Sequence, residues 1–377
     1  MRKLYHVPKT GAEVVIIDER LSNWLLMCIP KYCKYNIVKN TGFIPYVRSL
    51  SFFLKLIKYI LRFGLTSKSL ILAIVGELKP KVVITFIDNN VVSYGLYRIY
   101  PDISFISVQN GTRSLLEIDA VGGDKFDYDN YYGFGLYEKE LFLSKGSSFL
   151  NYHATGSLKL GLFLSRYNYF PNKIKKNNTI CFVSQFRRNI MINDVHHHHQ
   201  FIEMSKELYR ATVNYAILNE CNVNVAMSNN ALDADYNSEI NYFKKIISAD
   251  IVTFFENNHN HNLDFTSYKI AIESDIVIGM DSTLLMEMYG CKKRVVWGID
   301  SQLGFSEYSG LEVLAGCDDS FDLDFFNKKL DFLLQMNDEK YNALTRKSRE
   351  FFFMNSDKPY PHEVIKDDID QYLNSIV

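Results

Sequence analysis

The stretch that most limits what this chain can fold into runs from Glu273 to Trp297, ESDIVIGMDSTLLMEMYGCKKRVVW. Ile276, Val277 and Ile278 form a short β-branched run, as expected of a parallel strand covered on both faces. Gly279 admits close approach to the backbone, and Asp281, Ser282 and Thr283 are side chains that cap helix starts. A helix is expected from Leu284 to Tyr289, closed by Gly290 as the residue beyond its C-cap, with a second strand following. At such a helix start the first N–H groups lack partners and the dipole adds about half a positive charge, so a phosphate can bind without a lysine. Glu287 lies one turn beyond Thr283 on the same face, where a carboxylate can accept hydrogen bonds from a ribose diol. An ordinary strand–helix turn with a capping serine has the same residue types, so function depends on what else the chain carries.

Elsewhere the chain alternates short apolar runs with helical periodicity. In the first half, strands are expected at Glu13 to Ile17, Val82 to Phe86 and Ile103 to Val108, the last entered by a turn at Pro101. A helical or irregular stretch is expected to follow as far as Leu150, with one more short strand at His153 to Gly156. The polar segment from Tyr167 to Asn178, YNYFPNKIKKNN, reads as a linker. Beyond it come a strand from Thr179, a helix near Gln200 to Asn219, a strand from Val223 to Met227, a helix from Asn237 to Ile247 and a strand from Ile251 to Phe255. The piece after Phe321 is helical. The expected class is α/β, with Rossmann-like parallel-sheet domains over residues 1–166 and 179–340 facing a central cleft, and C-terminal helices over 341–377 packing back on the first domain.

Composition narrows the function classes. A formal net charge of −1 over 377 residues gives no global attraction to nucleic acid. Six scattered cysteines without a C-x-x-C pair indicate neither a zinc knuckle nor a disulfide framework, and suit a reducing compartment. The N-terminus lacks a signal-peptide apolar core and no stretch is long enough to span a bilayer, so a cytoplasmic location is expected. Within this balanced total, residues 21–76 contain no acid and eight basic residues. There Phe53, Leu56, Ile57, Ile60 and Leu61 form an apolar stripe with Lys55, Lys58 and Arg62 on the opposite face. Such a helix suits an anionic inner-membrane surface, and equally a core helix with a solvated lysine face.

The chemistry-bearing residues gather at expected strand ends. ITFIDNN sets Asp88, Asn89 and Asn90 after one strand, and ISVQNGTRS sets Gln109, Asn110, Gly111, Thr112 and Arg113 after the next. A glycine flanked by amides and an arginine can hydrogen-bond hydroxyls, carboxylates or phosphates, and turn formation alone also favours these residue types. Asp88 is the best-placed acid for catalysis, with Glu117 in the looser segment behind it. In the second half, FVSQFRRN sets Ser184, Gln185, Arg187 and Arg188 after a strand, and Lys159 follows the ATGSLKL glycine. The run His196 to His199 cannot converge on one ion and reads as a solvated loop, as do His259 and His261. No P-loop, G-x-G-x-x-G, G-x-S-x-G or H-E-x-x-H occurs, which argues against an NTPase, a Rossmann dehydrogenase, an α/β-hydrolase and a zincin.

In order and content, VVITFIDNN, ISVQNGTRS, FDYDNYYGFGLYEKEL, HATGSLKLG, FVSQFR and SDIVIGMDSTLLMEMYGCKKRV resemble bacterial surface-polysaccharide glycosyltransferases of the GT-B type. The chain is similar to the group that includes capsule and lipopolysaccharide Kdo transferases. The resemblance implies donor binding by Ser184, Gln185, Arg187, Asp281, Ser282, Thr283 and Glu287, and acceptor binding by Asn89, Gln109, Asn110, Gly111 and Arg113. It implies a nucleotide-sugar substrate, CMP-linked donors included, with no cofactor or metal, and a glycan or glycolipid acceptor. Asn110 departs from the acidic residue that capsule-type Kdo transferases tend to carry there. Polyol-phosphate transfer from a CDP-activated donor, a sugar-nucleotide 2-epimerase and a non-catalytic GT-B-like scaffold are the competing readings.

Overall fold

The computed structural model describes residues 3–17, 21–40, 42–88, 91–112, 126–167, 177–186, 196–256, 265–280, 282–299, 312–314, 321–354 and 359–375. They divide into two units, one of Met1–Gly111, Ile118–Leu162 and Asp357–Val377, the other of Thr112–Glu117 and Phe163–Ser356. The expected linker lies largely outside the described residues.

The first unit holds strands β1 (Lys3–His6), β2 (Val14–Ile17), β3 (Tyr35–Val38), β4 (Phe43–Tyr46), β5 (Val82–Thr85), β6 (Ser104–Val108), β7 (Asp127–Gly133) and β8 (Ser148–Ala154). Six of them form one parallel sheet in the order β3-β2-β5-β6-β7-β8, while β1 and β4 pair separately. The central strands β2 and β5 are VVII and VVIT, buried at every position, as strands covered on both faces must be. The expectation of helical or irregular chain up to Leu150 is corrected here, since β7 and the start of β8 lie within that stretch, while the strand expected at His153 to Gly156 overlaps the end of β8. β8 is an edge strand, half-exposed or exposed throughout, so it carries polar residues that hide its strand character. The helix Pro361–Ser375 belongs to this unit: Tyr132 donates to Asp368 at 2.7 Å, and Tyr372 donates to the Asp102 carbonyl at 3.2 Å.

The second unit holds β9 (Thr179–Val183), β10 (Asn222–Ala226), β11 (Val252–Phe255), β12 (Ile276–Gly279), β13 (Arg294–Ile299) and β14 (Glu312–Leu314). They form one parallel sheet in the order β11-β10-β9-β12-β13-β14. The chain winds outward from β9 through β10 to β11, then returns to the far side of β9 with β12. That reversal is the switch point at which doubly wound sheets open a crevice beyond the strand ends. The helix after β9 spans His196–Leu218, so the histidine run opens a helix and is not the loop expected for it. Among the described residues, no helix is long and apolar enough to cross a membrane.

Two glycines are set by packing. A side chain at Gly279 would meet the Val183 carbonyl at 3.1 Å and Leu285 at 3.2 Å, so its absence lets β12 lie close to β9 and to the following helix. The helix Thr283–Gly290 runs through Gly290, and the chain reverses at Lys292, which has φ 65°. Gly290 is therefore not a left-handed cap as expected; a Cβ there would lie 2.3 Å from the Phe353 ring.

Candidate functional site

In the second unit, Val183 of β9 and Gly279 of β12 are register partners, so Ser184 and Met280 leave adjacent strand ends. Ser282 is in extended conformation at φ −121° and ψ 134°, and its Oγ accepts from the Leu284 N–H at 3.3 Å. This is the N-cap that the sequence predicts. Thr283 Oγ1 accepts from the backbone N–H of Thr112 at 3.1 Å, which holds the first residue of the helix in place.

One turn deeper, Glu287 is 2% exposed and accepts from the Tyr268 hydroxyl at 2.8 Å. Burial, followed by the charge of Glu287, drives the Tyr268 phenol well above its ordinary pKa, so it stays protonated and remains a donor. The carboxylate thus lies one turn beyond the helix start, held by Tyr268. Tyr268 itself packs between Phe163 and Phe265, at ring separations of 5.5 and 5.7 Å.

Ser184 is buried and holds the turn after β9. Its hydroxyl donates to Glu239 and accepts from the Phe186 N–H at 3.1 Å, and its carbonyl accepts from Ser228 at 2.8 Å. Glu239, in the first turn of the helix Tyr236–Ile246, also accepts from the N–H groups of Ser228 at 2.8 Å and Asn229 at 3.0 Å. Burial pushes the Glu239 carboxyl up, against the pull of those hydrogen bonds. Glu239 was not singled out from sequence, although its place in a first helical turn just after a strand-end polar cluster is the pattern that could have found it. Gln185 is half-buried beside this network.

In the first unit, Asp88 is fully buried beyond β5. One carboxylate oxygen accepts from the Asn110 N–H at 3.2 Å, the other from the Tyr131 hydroxyl at 2.8 Å, and its carbonyl accepts from Tyr128. These bonds tie the end of β5 to the turn after β6. Gln109 is 1% exposed and is also built in. Its carbonyl accepts from the Phe134 N–H at 2.8 Å, while its amide donates to the Gly111 carbonyl at 2.9 Å and to Glu138. Both amide hydrogens of Gln109 are thereby engaged within the first unit. Asn110 is half-buried, Gly111 is buried, and Lys159 lies over the Phe86 ring at 5.7 Å. Asn89, Arg113, Glu117, Arg187, Asp281, His259 and His261 lie outside the described residues.

This geometry matches known folds. The chain is similar to the UDP-GlcNAc 2-epimerase of Methanocaldococcus jannaschii solved with UDP-GlcNAc and UDP, at 13% identity over 96% of this chain and 99% of that one, with a TM-score of 0.54. It is also similar to the wall teichoic acid polymerase TagF, at 10% identity over 98% and 92% of the two chains, with a TM-score of 0.51. At these identities the likeness establishes the fold, which is α/β of the GT-B type with parallel sheets. No curated protein matches in sequence. A family model described as "putative O-antigen biosynthesis protein" matches residues 106–362, more than half of the 377. The chain therefore belongs to that O-antigen biosynthesis family.

Proposed function

We propose that this protein is a glycosyltransferase that moves a sugar from a nucleotide-activated donor to a surface-glycan acceptor such as O-antigen, lipopolysaccharide or capsule. The observation that carries this reading is the switch point of the second sheet, where the β9 turn with Ser184 and Gln185 and the Ser282-capped helix leave neighbouring strands. In this reading the donor phosphates lie against the N–H groups of the Ser282 turn, and the ribose diol donates to Glu287. The leaving nucleotide gains negative charge as the glycosidic bond breaks, and backbone dipoles fixed before the reaction stabilise it without reorganisation. Arg187 and Asp281 belong to the same proposed donor set. The acceptor is assigned to the turn of Asn110, Gly111 and Arg113 together with Asn89, with Asp88 and Gln109 holding that turn in shape. Glu117 is the acid assigned to acceptor activation.

Incubation with CMP-, UDP-, GDP- and dTDP-sugars and with CDP-glycerol, following nucleotide release in the presence of lipid-linked glycan, tests the reading. Release from one class of sugar nucleotide supports it. Release from CDP-glycerol alone would replace it with polyol-phosphate transfer, and no release from any donor would leave a non-catalytic scaffold.

A further inference from the structure

The helix Leu50–Phe63 carries its apolar stripe on the side away from the core. Phe52 and Tyr59 are the buried positions, at 1% and 4% exposure. Leu50, Phe53, Leu54, Ile57 and Leu61 are exposed at 76, 49, 60, 55 and 83%, and Leu65 just beyond the helix at 87%. At roughly 100° per residue, the five helical positions fall within an arc of about 100°, centred almost opposite Phe52 and Tyr59. Lys55, expected on the solvated face, turns inward to Glu77 at 2.7 Å. An apolar row of this size facing solvent marks an interaction surface.

The charge around the row selects its partner. Lys58 and Arg62 are exposed along one flank, and Lys31, Lys34 and Arg48 are exposed elsewhere in the segment. No acid occurs from residue 21 to 76, and the first one after it, Glu77, is 3% exposed and bound by both Lys9 and Lys55. A second copy of this chain would bring like charges together across such a contact, whereas anionic headgroups neutralise them. We propose that the exposed face of Leu50–Phe63, continued by Leu65, lies on an anionic lipid bilayer, with Leu54, Ile57 and Leu61 entering the acyl boundary and Lys58 and Arg62 at the headgroups. This surface is independent of the transferase reading, because binding to lipid needs neither donor nor acceptor.

The test is sedimentation of the full-length protein with vesicles of phosphatidylglycerol and phosphatidylcholine, compared with phosphatidylcholine alone. The expected result is salt-sensitive binding to the anionic vesicles. The double variant Lys58→Glu/Arg62→Glu should weaken it more than tenfold, since each basic side chain near the surface contributes about fivefold. Leu54→Ser/Leu61→Ser should weaken it by about tenfold or more. Neither pair packs into the core, so thermal unfolding of both variants should match the wild type. Ile57→Trp should show a blue-shifted emission on the same vesicles. Failure of the wild type to bind anionic vesicles, or binding by both double variants as tight as that of the wild type, overturns the proposal. So does a concentration-dependent dimer that disperses in Leu54→Ser/Leu61→Ser, which would give the face to a second copy.

Discussion

Tyr268 donates its hydroxyl hydrogen to Oε2 of Glu287 across 2.8 Å, with both residues 2% exposed. The pair joins the helix Thr266–Glu273 to the helix that carries the proposed donor turn. Tyr268→Phe removes a donor from a buried carboxylate and should cost about 1–3 kcal/mol in unfolding free energy. Glu287→Gln keeps an acceptor for Tyr268 and should leave the fold intact, while weakening nucleotide binding about tenfold through loss of a charge-assisted hydrogen bond. Thermal unfolding with and without nucleotide separates the two effects.

Asp88 receives hydrogen bonds on both oxygens, so Asp88→Asn must turn its amide group toward one of two donors. A stability loss of about 1–3 kcal/mol is expected. If Asp88 holds the turn, as proposed, the pH–rate profile should keep its shape and the loss should fall on acceptor KM. A kcat fall of roughly 10²-fold or more, with loss of the limb that reports the base, would return Asp88 to catalysis.

Gly290→Ala would place a methyl group 2.3 Å from the Phe353 ring. Overpacking of this kind costs about 1–3 kcal/mol. If the clash is the cause, Phe353→Leu should recover part of the loss when combined with it, and a double-mutant cycle by chemical denaturation measures that recovery.

Glu77 links stability to pH. Burial works to raise its pKa, but hydrogen bonds from Lys55, Lys9, Ser51 and Ser49 outweigh it and bring the carboxyl from its ordinary 4.5 down to about 2. A carboxyl depressed by folding stabilises the native state fully above its unfolded pKa, and that contribution is lost as pH falls toward the folded value. The stability gap between wild type and Glu77→Gln should therefore be constant above about pH 5 and narrow between pH 5 and 2. A gap that does not change with pH would mean the ion pairs contribute nothing.

Where burial on both faces dictates residue type, the fold could be read directly: VVII, VVIT and TICFV are β2, β5 and β9. The strand β7 and the start of β8 could not, because DYDNYYG and SFLNYHA mix aromatic with polar residues and β8 lies at the edge of the sheet formed by the described residues. The Ser282 cap was legible, since capping chemistry is local. The hydrogen-bond partners of Asp88 and Gln109 were not, because an acid or amide at a strand end looks the same whether it faces solvent or spends its hydrogen bonds on the next turn. The helix Leu50–Phe63 shows the same limit. Its amphipathicity is plain in sequence, but which side meets the core depends on tertiary contacts such as Tyr59 with Tyr100 at 2.7 Å.

Binding of an activated nucleotide at the Ser282 turn is read out by calorimetric titration of the full-length protein with the panel of sugar nucleotides. Saturable binding of one nucleotide class is expected, weakened about tenfold in Glu287→Gln and unchanged in Asp88→Asn. Absence of binding by every nucleotide sugar, or binding that Glu287→Gln leaves unaltered, would rule out a donor site at the Ser282 turn.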